Sequence, residues 1–174
     1  HYNSTGPEIW EQTNGQIDGF VCSIGTGGTL AGTGAFLREQ CKKIKIVVAD
    51  PKGASMYNYF KNGQLHRSAG NSITEGIGQG RLTGNLSGVE IDDIYLVSDE
   101  EALPIIFALL KEEGLFLGGS SGINIAGAIR LAKELGPGHT IVTILADSGL
   151  RYQSKLFNPK FLHTKGLPAP DWLK

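Results

Sequence analysis

Short apolar runs alternate with amphipathic segments along most of the chain, and glycine or proline marks many of the boundaries. The runs have strand length and are rich in β-branched residues, whereas the segments between them repeat apolar residues at helical spacing. Strands that alternate with helices pair in parallel through right-handed crossovers. The pattern therefore predicts an α/β fold: a three-layer, doubly wound parallel sheet with helices on both faces. The predicted strands span 19–24, 44–49, 94–97 and 140–145, and the predicted helices span 30–41, 98–114 and 122–135.

The remaining segments set the expected boundaries. Residues 62–90 are polar and glycine-rich, and we expect them to be the least regular part of the chain. Ser98 followed by Glu101 is typical of a capping box, and Pro104 predicts a bend or a later start of that helix. The proline-containing tail, 158–174, predicts an irregular arm. The expected organisation is one α/β domain over 1–157, followed by this arm.

Composition argues against several classes of function. The 174 residues have a net charge of −1, and lysine and arginine are scattered, which is not typical of a nucleic-acid surface. No apolar run approaches the roughly 20 residues of a membrane-spanning helix. Cys22 and Cys41 lack metal-ligand spacing and are too few for a disulfide framework, which favours a cytoplasmic protein without a metal site. The chain begins at His1 with neither a signal peptide nor a methionine, and we expect a longer parent protein.

A glycine-rich stretch, GTGGT, lies between the first predicted strand and the helix that follows it. A helix N-terminus presents free backbone N–H groups, and glycine lets the backbone approach a phosphate closely. The stretch predicts a phosphate-binding cup formed by Gly25, Thr26, Gly27, Gly28 and Thr29. A tight turn without a ligand explains this motif alone equally well.

Two nucleotide-binding motifs are partly similar to this loop. A Walker A loop requires a lysine after its last glycine, and none follows here, which excludes that motif. A dinucleotide-binding fold requires an acidic residue about 20 residues further on, at the end of the next strand. Asp50 occupies such a position. NAD binding through Asp50 therefore stays an alternative at this point.

Three further motifs extend the pattern over almost the whole chain. They are EGIGQG at 75–80, EEGLFLGGSSGINIAGAIRLA at 112–132 and DSGLRYQSKLF at 147–157, and they follow HYNSTGPEIWEQTNGQIDGFVCSIGTGGTLAG at 1–32. In this order, the motifs resemble the C-terminal half of the cysteine synthase and cystathionine β-synthase family. These are pyridoxal-phosphate (PLP) enzymes of fold type II. The resemblance implies the large-domain portion of that fold, PLP as cofactor and an amino-acid substrate.

The resemblance also implies roles for individual residues. The cup at 25–29 would hold the 5′-phosphate of PLP, and Ser120 would hydrogen-bond the pyridine nitrogen. A hydroxyl does not keep that nitrogen protonated as a carboxylate would, which favours β-elimination and β-replacement over transamination. The alternative for Ser120, or for Ser121, is a helix cap. The resemblance places Gly76, Ile77 and Gly78 beside the cofactor and the substrate amino group, and Asp147 and Ser148 on the ring-nitrogen side.

Two functional segments of the family do not occur in these 174 residues. Family members hold PLP as a Schiff base on a lysine in an S-V-K-D-R-like segment, and a T-S-G-N-T-like loop binds the substrate carboxylate. Neither segment is found here. The resemblance therefore implies no catalytic residue in this chain, a Schiff-base lysine upstream, and no activity of the chain alone. It also implies that the full-length enzyme is a homodimer.

Two β-replacement reactions compete within the family. Cysteine synthase combines O-acetylserine with sulfide, and cystathionine β-synthase combines serine or a relative with homocysteine. Glu75 favours the second reaction, whereas the run TGPEIWEQTNGQIDGFVCSIGTGGTLAG favours the first. We expect cysteine synthase chemistry. A non-catalytic module that binds a phosphate or a cofactor is a further alternative.

Overall fold

The computed structural model describes residues 1–173. Its centre is a four-stranded sheet in the order β3-β2-β1-β4, and every neighbouring pair is parallel. The strands are β1 (Gly19–Cys22), β2 (Lys45–Pro51), β3 (Asp93–Val97) and β4 (Ile141–Thr143). All four predicted strands are present, so the predicted parallel sheet is confirmed.

Helices cover both faces of this sheet. Phe20 and Cys22 pack towards α1, α2 and α3, whereas Val21 between them packs towards α4 and α5. Because alternate side chains of a strand point to opposite faces, one apolar run supplies two cores. The predicted three-layer α/β architecture is thus confirmed. The helices are α1 (Thr5–Gln12), α2 (Gly28–Gln40), α3 (Met56–Asn62), α4 (Asp99–Glu113), α5 (Gly119–Leu135) and α6 (Pro159–Thr164).

The predicted start of α4 is correct in position but wrong in mechanism. Ser98 is the N-cap residue, yet its side chain makes no capping hydrogen bond. The Glu101 side chain instead pairs with Arg130 on α5, which also donates to the carbonyl oxygen of Leu96 at 3.0 Å. Pro104 lies inside a helix that already begins at Asp99, so a later helix start is wrong as well. Glu101 therefore joins two helices rather than capping one.

The tail is more regular than its proline content predicts. Residues 158–174 were expected to form an irregular arm, but Pro159–Thr164 is helical, and Asn158 caps that helix by accepting from the Phe161 N–H. Leu162 of α6 is fully buried in a cluster with Leu103 and Ile106 of α4. Burial of this leucine explains why the segment folds against α4.

None of the helices within residues 1–173 is long and apolar enough to cross a membrane.

Candidate functional site

A cavity of about 240 Å³ lies beyond the carboxyl ends of β1 and β4. Crevices at this edge of a parallel sheet are the usual ligand sites of such folds. The cavity brings together residues that are far apart in the sequence. Of the predicted site residues, its lining includes Gly25, Thr26, Gly27, Thr29, Gly76, Ile77, Ser120 and Asp147, but not Gly28, Gly78 or Ser148.

A larger cavity of about 330 Å³ lies elsewhere, between α2 and residues 85–90. None of the predicted site residues lines it, and of its two charged lining residues, Arg38 and Glu90, Arg38 is paired with Asp92. The smaller cavity combines glycine backbone, hydroxyl groups and a carboxylate. We therefore take the smaller cavity as the candidate site.

The glycine cup forms one wall of the site. Gly27 has φ +84°, a conformation that favours glycine, and α2 begins at the next residue. The first amides of a helix have no partner within the helix and carry its positive dipole end, which favours an anion there. Gly25 is also constrained, since a Cβ atom there would lie 2.7 Å from the carbonyl oxygen of Gly76. The cup therefore has the features that favour an anion, and it approaches the loop at 76 closely.

Contacts from outside the motif hold the cup in place. The carbonyl oxygen of Thr26 accepts from the Thr83 hydroxyl at 2.6 Å and from the Asn85 side-chain amide at 3.1 Å. The Thr29 hydroxyl lies 3.2 Å from Nε2 of His1, whose Nδ1 is 2.8 Å from the Thr5 hydroxyl. These contacts of Thr83, Asn85 and His1 were not predicted from the sequence. No local pattern marks such contacts, because they join distant segments.

Ser120 forms part of the opposite wall. It is the second residue of α5 and only 6% exposed. The N-cap of α5 is Gly118 with no side-chain capping bond, so the interpretation of Ser120 or Ser121 as a cap is wrong. Ser120 lines the cavity. The structure thus leaves its hydroxyl available for a ligand rather than for the helix.

The two residues predicted on the ring-nitrogen side are separated by the structure. Asp147 lines the cavity, and its carboxylate accepts from the Tyr152 hydroxyl at 2.5 Å, a bond that raises the pKa of Tyr152. Ser148 points its side chain to the backbone N–H of Leu150 at 3.3 Å and forms a bridge with Leu117. Asp147 therefore belongs to the site, and Ser148 supports the chain behind it.

The loop at 75–78 closes the remaining side. Gly76 and Gly78 have φ values of +79° and +78°, which explains the two glycines of the motif. The Gly78 N–H donates to the carbonyl oxygen of Ile24 at 3.2 Å, and Glu75 forms an ion pair with Lys155. Residues just before the loop are held by the buried Asp99, which accepts from the Ser72 hydroxyl at 2.6 Å and the Ile73 N–H at 2.7 Å.

Asp50 does not take part in this site. Its side chain is fully buried at the end of β2 and accepts from the Tyr57 N–H of α3 at 2.9 Å. Burial raises its pKa to about 7. A carboxylate directed into the protein cannot reach a ribose hydroxyl in the cavity. The structure therefore removes the feature on which the NAD alternative depended.

The residues present fit a phosphate-bearing ring. The glycine-rich start of α2, the buried Ser120 and two carboxylate residues, Glu75 and Asp147, lie around one cavity. A Cβ atom at Gly25 would clash with the Gly76 carbonyl oxygen across it. No lysine is found among the residues that line the cavity within the described chain. Within residues 1–173, no cluster of three or more His, Cys, Asp or Glu side chains could hold a metal ion.

Comparison with known proteins gives the same assignment. The matching family is described as "Pyridoxal-phosphate dependent enzyme", and the match covers residues 1–147. Cysteine synthase 1 of Emericella nidulans is 47% identical over 171 residues, which cover 96% of this chain and 46% of that protein. The O-acetylserine dependent cystathionine beta-synthase of Bacillus subtilis is 37% identical over 89% of this chain and 48% of its own length.

A solved structure supports the fold independently. The O-acetylserine dependent cystathionine beta-synthase of Helicobacter pylori matches with a TM-score of 0.78 and 33% identity, covering 88% of this chain and 48% of that one. The chain spans about half the length of the curated relatives it matches. The fold, the cavity and these matches together show that the chain belongs to the family of pyridoxal-phosphate dependent enzymes.

Proposed function

We propose that this chain forms the phosphate- and ring-binding half of a PLP enzyme that makes cysteine from O-acetylserine and sulfide. The observation that carries the proposal is the convergence of the glycine cup and Ser120 on one cavity. Two relatives named cysteine synthase 1 add weight, because they are 47% and 46% identical to this chain, whereas the Bacillus relative is 37% identical. Cystathionine β-synthase-type replacement is the second candidate.

Each wall has a separate task in this proposal. The α2 amides and the backbone of Gly25, Gly27 and Gly28 hold the cofactor phosphate through charge and close approach. Thr26 and Thr29 complete that cup. The loop Gly76, Ile77 and Gly78 presents backbone groups towards the cofactor and the substrate amino group. Bound there, PLP would supply the electron sink that lets a β-substituent leave a serine derivative and a thiol replace it.

Ser120 and Asp147 control the ring in this proposal. Ser120 offers the ring nitrogen a neutral hydroxyl, which keeps the nitrogen from being held protonated. A carboxylate such as Asp147 would hold the ring nitrogen protonated, but one of its oxygens already accepts from the Tyr152 hydroxyl. Ser148 does not contact the ring in this proposal; its hydroxyl accepts from the Leu150 N–H and fixes the backbone next to Asp147. The Schiff-base lysine and the substrate-carboxylate loop would come from outside these 174 residues. We further propose a cytoplasmic homodimer as the working enzyme.

A chimera tests the activity. The chain replaces the matching 171-residue segment of Emericella nidulans cysteine synthase 1, and cysteine and cystathionine formation from O-acetylserine are measured with sulfide and with homocysteine. We expect faster turnover with sulfide. The matched control carries Gly27→Val. A valine there would have a left-handed backbone, and its Cβ atom would lie 2.7 Å from Cδ2 of Leu86, so we expect this chimera to lose PLP absorbance. A folded chimera that retains PLP but forms no cysteine would contradict the proposal.

A further inference from the structure

Asn124, on α5, joins the segments that follow β1 and β4 through one side chain. It follows Ser120 by one helical turn on α5 and is 2% exposed. Its amide oxygen accepts from the Ser23 N–H at 2.7 Å, and its amide nitrogen donates to the carbonyl oxygen of Ile144 at 2.7 Å. Ser23 leads into the glycine cup, and Ile144 leads to Asp147. The side chain therefore contacts the segment that leads into the glycine cup and the segment that leads to Asp147.

The bridge lies where the sheet opens. The pairing of β1 with β4 runs from Gly19 opposite Ile141 to Val21 opposite Thr143 and ends there. Beyond that point the two strands separate around the cavity, and Asn124 spans the gap between them. Past the last backbone pairing of β1 with β4, the two segments are connected by hydrogen bonds to the Asn124 amide.

The position of Asn124 requires a side chain that can both accept and donate a hydrogen bond. One neighbour is an N–H group and the other is a carbonyl oxygen, which fixes the orientation of the amide. An aspartate would direct an oxygen at the Ile144 carbonyl, and an alanine would leave both backbone groups buried without a partner. Such unpaired groups are costly, so removal of the amide should move the strand ends.

We propose that Asn124 is a positioning residue that sets the spacing between the glycine cup and the wall formed by Ser120 and Asp147. The identity of the spanning ligand rests on the proposed function, whereas the spacing itself does not. The cup has separate supports in Thr83 and Asn85. Loss of Asn124 should therefore leave an intact cup at the wrong distance from the opposite wall.

Two probes separate these effects in the 174-residue chain. PLP spans both walls, and inorganic phosphate uses the cup alone. We expect Asn124→Ala and the milder Asn124→Ser to weaken PLP binding about tenfold or more, and phosphate binding by less than about twofold. Thr143→Val is the control for loss of a link between β4 and β1, because the Thr143 hydroxyl donates to the Val21 carbonyl oxygen at 2.7 Å; Thr143, unlike Asn124, does not line the cavity. It should change neither affinity by more than about twofold.

Amide hydrogen exchange without ligand supplies an independent readout. We expect both Asn124 variants to speed exchange at residues 22–25 and 144–147 by about tenfold relative to Thr143→Val. Equal exchange in the Asn124 and Thr143 variants, equal loss of both ligands, or loss of folding in both Asn124 variants would overturn the positioning role. A wild-type chain that binds phosphate but not PLP would instead contradict the proposed function, and the exchange result would still decide the role of Asn124.

Discussion

The carboxyl group of Asp50 is buried and only partly compensated by hydrogen bonds. One oxygen accepts from the Tyr57 N–H, and the other has no hydrogen-bond partner within residues 1–173. Burial raises the pKa from 3.8 to about 7, because the charged form is poorly solvated. The native state then binds more protons than the unfolded state between these two values. The contribution of the Asp50 carboxyl group to the free energy of unfolding is full at low pH and is lost as the pH rises through about 7.

Asp50→Asn should remove this pH dependence. The amide oxygen can still accept from Tyr57, but the side chain no longer ionises. We expect the variant to exceed the wild type in free energy of unfolding by about 1–3 kcal/mol at pH 8 and to show little gain near pH 4. Urea unfolding at both pH values measures the difference. Parallel stability curves for the two proteins would contradict the assignment.

Gly25→Ala tests close approach without backbone strain. Gly25 lacks a positive φ, but the new Cβ would lie 2.7 Å from the Gly76 carbonyl oxygen. The cup and the loop must move apart, and we expect about tenfold weaker PLP binding and a loss of about 1–3 kcal/mol in stability. Gly84→Ala is the control, since nothing lies within 4 Å of its Cβ. Fluorescence titration and urea unfolding compare the pair; similar behaviour of both variants would refute the contact.

At the scale of elements, one acid links α4 to the irregular segment before the loop at 76. Asp99→Ala removes the acceptor for Ser72 and Ile73, and we expect faster hydrogen exchange over residues 72–78. Glu100→Ala removes another first-turn acid of α4, with the same effect on the helix dipole, but Glu100 makes no bond to Ser72 or Ile73. Unchanged exchange at 72–78 in Asp99→Ala would show that the segment is held by other contacts.

The sequence predicted elements better than their connections. Strands were found because a strand that packs into two cores is apolar along its whole length and forms a short apolar run. Glycine ended α4 at Gly114 as predicted, with φ +69°. Helix α1 was not predicted, and α5 begins at Gly119 rather than at 122, because glycines there obscure the apolar period. The capping box failed because Arg130, distant in sequence, competes for Glu101.

The site was predicted in the same uneven way. The glycine cup and Ser120 carry local motifs, and both line the cavity. Thr83, Asn85 and Asn124 were missed, since their partners lie 57, 59 and 101 residues away. A short-range pattern cannot contain such information. The resemblance placed Ser148 beside Asp147 on the ring-nitrogen side, although its side chain turns to Leu150.

At the scale of the whole molecule, we expect this chain alone to be inactive in β-replacement. PLP catalysis requires a lysine at the cofactor aldehyde, and within residues 1–173 no lysine lines the cavity. Lys155 does not line the cavity and is paired with Glu75, which does. The chain is mixed with PLP, O-acetylserine and sulfide, and cysteine is measured against free PLP as control. Production well above that control would mean that a lysine of this chain is catalytic.

The cavity draws its walls from residues near 25, 76, 120 and 147, so no piece of the chain shorter than 22–147 contains all of its lining. Closing such long loops is slow compared with forming a helix or a local turn. During refolding, helical structure should therefore return before any affinity for the cofactor does. PLP would act as a late stabiliser of an assembled sheet rather than as a nucleus, and its binding rate from the unfolded state would report the last step of folding.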